Sequence, residues 1–147
     1  MSPKNLNIVF VDNDEDDRAL FEEALGELKI NCSLKLFESG NELMRYLNQT
    51  DKETNVLFLD LNMPIKSGIE CLIEIKREKK LKNIPVIIYS TSSAEKDIED
   101  TFGHGASVYI KKPNNFTELK NLIYNVLQVN WKDHNSNLNR QNFLFTI

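Results

Sequence analysis

Hydrophobic positions along this chain follow two rhythms. Residues 7–12, 34–37, 56–60, 86–90 and 108–112 are short apolar runs, rich in Val, Ile, Leu and aromatic residues, and have the length of β-strands. Between them, apolar residues recur at three- and four-residue spacing. Leu20, Phe21, Ala24, Leu25 and Leu28 share one face of a first helix, which Asp14 is placed to cap. Residues 41–48 carry Leu43, Met44 and Leu47 on one face, and Ile69, Leu72, Ile73 and Lys76 give a third stripe. A short helix over 95–102 should stop at Gly103, and Phe116, Leu119, Leu122, Ile123, Val126 and Leu127 define the last helix. The runs VLFLD and VIIYS are almost continuously apolar, as strands covered by helices on both faces must be. Strand and helix alternate throughout, which predicts an α/β fold: a doubly wound, five-stranded parallel sheet with helices on both faces and right-handed crossovers.

The pattern changes after residue 129. The stretch NWKDHNSNLNRQN is polar and Asn-rich, and the closing FLFTI is apolar. One domain over residues 1–129 is expected, followed by a tail over 130–147 that carries no output domain. The apolar end of the tail suggests docking or a partner contact. Within 1–129 there is no internal repeat and no linker.

Composition narrows the function classes. A chain of 147 residues, 41% hydrophobic and 27% charged, supports one well-packed core. Its 18 Lys and Arg against 22 Asp and Glu leave a net charge of -4, which argues against nucleic acid as a partner. The basic run over 76–82 includes Glu78 and reads as a solvated helix end. Cys32 and Cys71 are too few and too far apart for a disulfide framework or a CxxC metal site, and His104, between two glycines, reads as a turn residue. The start lacks a long apolar signal region and no run could span a bilayer, so a cytoplasmic, reduced setting without a membrane partner is expected.

The polar residues that end the runs carry the chemistry. They are Asp12, Asp60, Ser90 and Lys112, and in a parallel sheet the carboxyl ends of neighbouring strands lie side by side, where ligands bind. Two carboxylates, a hydroxyl and an ammonium gathered there suit magnesium and a phosphoryl group. Asp60 beside Mg²⁺ is a candidate nucleophile toward phosphorus. Pro64 and Gly68 shape the following loop so that backbone carbonyls can face the cation. Ser90 can donate to a phosphoryl oxygen, whereas Ser92 or Ser93 is better placed to cap the next helix. Lys112 offers a compact positive charge, and Pro113 behind it is a candidate cis proline. Lys111 points to the opposite face from Lys112, and Tyr109 shares the face of Lys111. Asp14, Glu15, Asp16 and Asp17 are assigned mainly to the first helix N-terminus, whose dipole favours acids. Asp12, Asp14, Asp16 and Glu23 also fall at EF-hand ligand positions, but Asp17 stands where that loop needs Gly and a strand precedes it.

These pieces, FVDND, LFLDLNMP with Gly68, PVIIYSTSS and GASVYIKKP, resemble the receiver domain of two-component response regulators over about residues 6–129. The resemblance implies the flavodoxin-like strand order 2-1-3-4-5. It implies Asp60 as phosphoacceptor, loaded by a sensor histidine kinase or phosphotransfer protein. Mg²⁺ would be held by Asp12, Asn13, Asp60 and the backbone carbonyl of Asn62. Ser90 would be the switch hydroxyl, Tyr109 the aromatic that changes rotamer, and Lys112 the phosphoryl contact. The face formed by the fourth helix, fifth strand and fifth helix would engage a downstream protein, and a homodimer is allowed. Asn62 and Ser92 match positions that tune dephosphorylation. The domain would signal, catalysing only its own phosphorylation and dephosphorylation. Small stand-alone receivers, including those serving phytochrome-type kinases, share its acidic first helix, the basic end of its third and its tail.

One departure stands out. The family usually has two adjacent acids after strand one, and here the second is Asn13, which can ligate a hard cation but brings no charge. This leaves a second reading, a receiver-like adaptor that works without phosphate. A phosphatase with an Asp nucleophile would need a second acid where this chain has Asn62. A flavin module would need a phosphate loop after strand one.

Overall fold

The computed structural model describes residues 5–144. Its five strands are β1 (Leu6–Val11), β2 (Cys32–Phe37), β3 (Val56–Leu59), β4 (Val86–Ser90) and β5 (Val108–Lys111). They form one parallel sheet in the order β2-β1-β3-β4-β5. The helices are α1 (Glu15–Glu27), α2 (Gly40–Gln49), α3 (Gly68–Arg77), α4 (Glu95–Gly103) and α5 (Phe116–Gln128), followed by the short α6 (Trp131–Ser136) and α7 (Arg140–Phe143). The predicted fold class and strand order are both present.

Alternation along each strand feeds two cores. Val9 and Val11, Leu57 and Leu59, and Val86 and Ile88 point to the side covered by α2, α3 and α4. Ile8 and Phe10, Val56 and Phe58, and Ile87 and Tyr89 point to the side covered by α1 and α5. On that second side, Phe10 stacks on Phe21 with ring centroids 4.2 Å apart, and Phe58 meets Phe21 edge-on at 4.8 Å. Burial on both faces is why the central strands tolerate no polar residue until their ends.

Several local expectations need correction. Leu20 is 43% exposed, because the buried stripe of α1 is Phe21, Ala24 and Leu25. In α3 the fully buried positions are Cys71, Leu72 and Ile75, with Ile69 and Ile73 only partly covered. Helix α4 runs through Gly103 to a cap at His104, and the chain turns at Gly105, whose φ of 93° is the left-handed value that glycine accepts. The α4 N-cap is Ala94 instead of Ser92 or Ser93. Ser92 acts two residues earlier, where its Oγ accepts from the Ala94 N–H and donates to Asp97 Oδ2. No peptide bond among the described residues is cis, so Pro113 is trans. The basic run is not wholly solvated. The Lys76 ammonium is half-buried and donates to the carbonyls of Lys82 and Ile84, and burial lowers its pKa to about 8.

Beyond α5 the chain folds back on the domain. His134 Nε2 lies 2.9 Å from the Ser107 carbonyl, and Phe143 is fully buried. The last three residues of FLFTI, 145–147, lie outside the described residues.

Candidate functional site

The carboxyl ends of β1, β3 and β5, aligned in one parallel sheet, determine where the site residues fall. Asp12 and Asp60 each stand one residue past their strand and are held there by the sheet. The Asp12 N–H donates to the Phe37 carbonyl, and the Asp60 N–H donates to that of Val11. Lys112 likewise follows β5, its N–H bonded to the Ser90 carbonyl at 2.8 Å. Three side chains from three loops are thereby aimed into one crevice at the carboxyl end of the sheet.

Lys112 Nζ is 2.8 Å from Asp12 Oδ2 and 3.8 Å from Asp60 Oδ1. It also donates to Asp17 Oδ2 at 2.8 Å, and it sits 5.5 Å from the centre of the Tyr89 ring. Asp12 and Asp60 are 0% and 4% exposed. Burial first, and then Asp12 beside it, raise the Asp60 carboxyl; Lys112 and the Asn62 N–H pull against both, and the outcome is a value of about 7. Burial pulls the Lys112 ammonium down, but its carboxylate neighbours more than offset this and hold it above the ordinary lysine value.

The donor set fits a hard divalent cation. Asp12 Oδ1 accepts from the Asp14 N–H at 2.9 Å, but Oδ2 is buried and has no aligned hydrogen-bond donor, since Lys112 approaches it as an ion pair only. Among the described residues no three His, Cys, Asp or Glu converge on one point. A cation here would rely on two carboxylates and neutral oxygens, and Asn13 and Asn62, both exposed, follow Asp12 and Asp60 by one and two positions in the same loops.

Gly68 closes the floor of the loop after β3. A Cβ at this position would lie 2.2 Å from the Asp60 carbonyl oxygen and 2.7 Å from Leu61 Cα, so only glycine permits α3 to start so near the acid. The capping box of Ser67 with Glu70 fixes that start.

Ser90 is fully buried at the end of β4, with its Oγ accepting from the Ser92 N–H at 3.1 Å. Tyr109 is 2% exposed and turned away from the carboxylates, its hydroxyl donating to the Ser92 carbonyl at 2.9 Å. It does share a face with Lys111, but only Lys111 is exposed, because the tail covers Tyr109.

Two participants were not anticipated. Asp17, assigned only to the helix terminus, pairs with Lys112; its position four residues before the buried Phe21 was the available signal. Arg18 donates from Nη1 to the Asp12 carbonyl at 2.7 Å and steadies the loop. Asp14 does cap α1, accepting from Asp16 and Asp17. A separate cleft of about 1030 Å³, lined by Thr50, Lys76, Lys80, Pro85 and Lys132, opens beyond the amino ends of β3 and β4 and holds none of the site residues.

Comparison with known proteins agrees with this arrangement. The model of the response regulator receiver domain matches residues 8–124. The response regulator Rcp1 of Synechocystis sp. is 31% identical over 124 residues, covering 81% of this chain and 84% of its own length. The crystal structure of the phosphorylated cyanobacterial phytochrome response regulator RcpA is 32% identical with a TM-score of 0.78, covering 84% of this chain and 91% of that one. The Mn²⁺-bound form of Rcp1 is 30% identical with a TM-score of 0.75, covering 82% and 91%.

Proposed function

The chain belongs to the response regulator receiver family of two-component signalling, and on that premise we propose that Asp60 accepts a phosphoryl group and that the result is relayed by protein contact. The observation that carries this reading is the convergence of Asp12, Asp60 and Lys112, from three separate loops, within one crevice. The donor is a sensor histidine kinase or phosphotransfer protein. A carboxylate oxygen of Asp60 forms the new bond to phosphorus as the bond to the donor nitrogen breaks, leaving an acyl phosphate on Asp60 and imidazole on the donor.

Asp12, Asn13, Asp60 and the Asn62 carbonyl would hold Mg²⁺, and the cation supplies charge neutralisation between the anionic acid and the anionic donor. Asp12 Oδ2, which meets Lys112 as an ion pair at 2.8 Å but accepts no aligned hydrogen bond, supports this assignment. Lys112, already beside both carboxylates, meets a phosphoryl oxygen as a point charge. Ser90 is the hydroxyl that turns toward the phosphoryl group. Tyr109 responds from its bond to the Ser92 carbonyl, and Asn62 and Ser92 set the lifetime of the phosphoryl group. The receiver unit takes residues 1–129, with 130–147 as a C-terminal tail. Among the described residues no helix is long and apolar enough to cross a membrane.

Intact-mass measurement after incubation with acetyl phosphate tests the reading. A gain of one phosphoryl group that requires Mg²⁺ and is lost in Asp60→Asn is expected. A chain that gains nothing at any magnesium concentration refutes it.

A further inference from the structure

The tail does not simply trail from α5. After α6 it crosses to the edge of the sheet, and Leu144 forms a parallel bridge with Tyr109 of β5. Phe143, fully buried, meets the Phe102 ring of α4 edge-on at 5.2 Å and the Tyr109 ring at 6.3 Å, within the same apolar cluster as Ile98 and Ala106. Arg140 spans two acids of α4, donating to Glu95 Oε1 at 2.6 Å and Glu99 Oε1 at 2.8 Å. Asn139 caps the final turn, with a reciprocal bond from Asn142. An aromatic anchor, a charged rim and a strand-edge bond are the three elements by which a bound peptide is held in a groove.

We propose that residues 138–144 are an intramolecular cap on the α4–β5 groove, and that a protein partner binds there only by displacing them. The groove defines that partner's chemistry: an extended segment presenting an aromatic side chain to Phe102 and Tyr109 and a cation to Glu95 and Glu99. Because Phe143 packs on the Tyr109 ring, the cap is released when Tyr109 moves, a step that rests on the reading of Asp60 given above. A short tether gives the cap an effective concentration on the order of millimolar, so free peptide competes poorly while the cap is intact.

The test uses the full chain and a blocked synthetic peptide of residues 137–144. Arg140→Glu reverses the rim contact without touching the core and should leave the circular dichroism spectrum unchanged. This variant should bind the peptide at least about tenfold more tightly than the native chain, and adding Glu95→Arg with Glu99→Arg should restore the block toward a peptide that itself carries Arg140→Glu and so matches the reversed groove. Equal peptide affinity in the native chain and Arg140→Glu, or no binding to either, overturns the cap. A second arm reads amide exchange across 138–144 while intact mass reports phosphoryl gain. Several-fold faster exchange in the phosphorylated chain is expected. Gain without faster exchange overturns the release step and leaves Asp60 as acceptor; no gain refutes Asp60 as acceptor, and the peptide arm alone then decides the cap.

Discussion

Asn13 sets the electrostatics of the crevice at the scale of one residue. With Asp12 and Asp60 as the two buried carboxylates and Lys112 adding positive charge between them, the site holds less negative charge than a two-acid loop would give. A third carboxylate about 4 Å from a dication is worth on the order of 2 kcal/mol even at the dielectric constant of water. Asn13→Asp should therefore lower the magnesium concentration for half-maximal phosphorylation by about tenfold or more, read by titrating Mg²⁺ against intact-mass gain. At this scale the sequence was informative wherever a polar residue ended an apolar run. It was weakest on Asp17, which lies 95 positions from Lys112 and, apart from its four-residue spacing from Phe21, looks like one more acid in a helix's first turn.

Elements show how the site is kept in place. The start of α3 approaches the Asp60 backbone so closely that Gly68→Ala must push the two apart. We expect a loss of about 1–3 kcal/mol in stability by denaturant unfolding. Phosphoryl uptake should slow at least about tenfold, because the acid moves with its loop. The strands and helix faces were readable because each strand feeds both cores and each helix one, which leaves periods of two and about 3.6 in the residues. Boundaries were less readable. Leu20 fits the helical period by spacing, but the α1 surface is fully occupied by Phe21, Ala24 and Leu25 against Phe10 and Phe58. Helix α4 took in Gly103 and ended there, one residue past the expected end at 102, with His104 as its cap and the turn at Gly105 behind it.

The whole molecule carries a cost from its site. Asp60 has its folded pKa raised to about 7, above the unfolded value near 3.8, so the native state holds more protons than the unfolded state between those values. Stability without metal should thus fall as pH rises from about 4 to 7, by on the order of 2 kcal/mol once solvent screening is allowed for. Thermal melts across that range should show the slope in the native chain, a flatter profile in Asp60→Asn, and recovery on adding Mg²⁺ at pH 8. The docked tail was the least legible feature at this scale. Phe143 and Arg140 have partners on α4 and β5 that no local pattern in NWKDHNSNLNRQNFLFTI specifies.

The bridge between Leu144 and Tyr109 has a consequence outside signalling. A sheet ordered β2-β1-β3-β4-β5 has two outer strands, and β5 would otherwise present unpaired backbone groups to any passing chain. Under the cap proposed above, the tail occupies that edge at Tyr109, where a second copy of the chain would otherwise pair. On that proposal, a molecule whose tail has lifted exposes the same strand edge to its own copies as to a partner, which ties the protein's colloidal behaviour to the contact that would govern its availability.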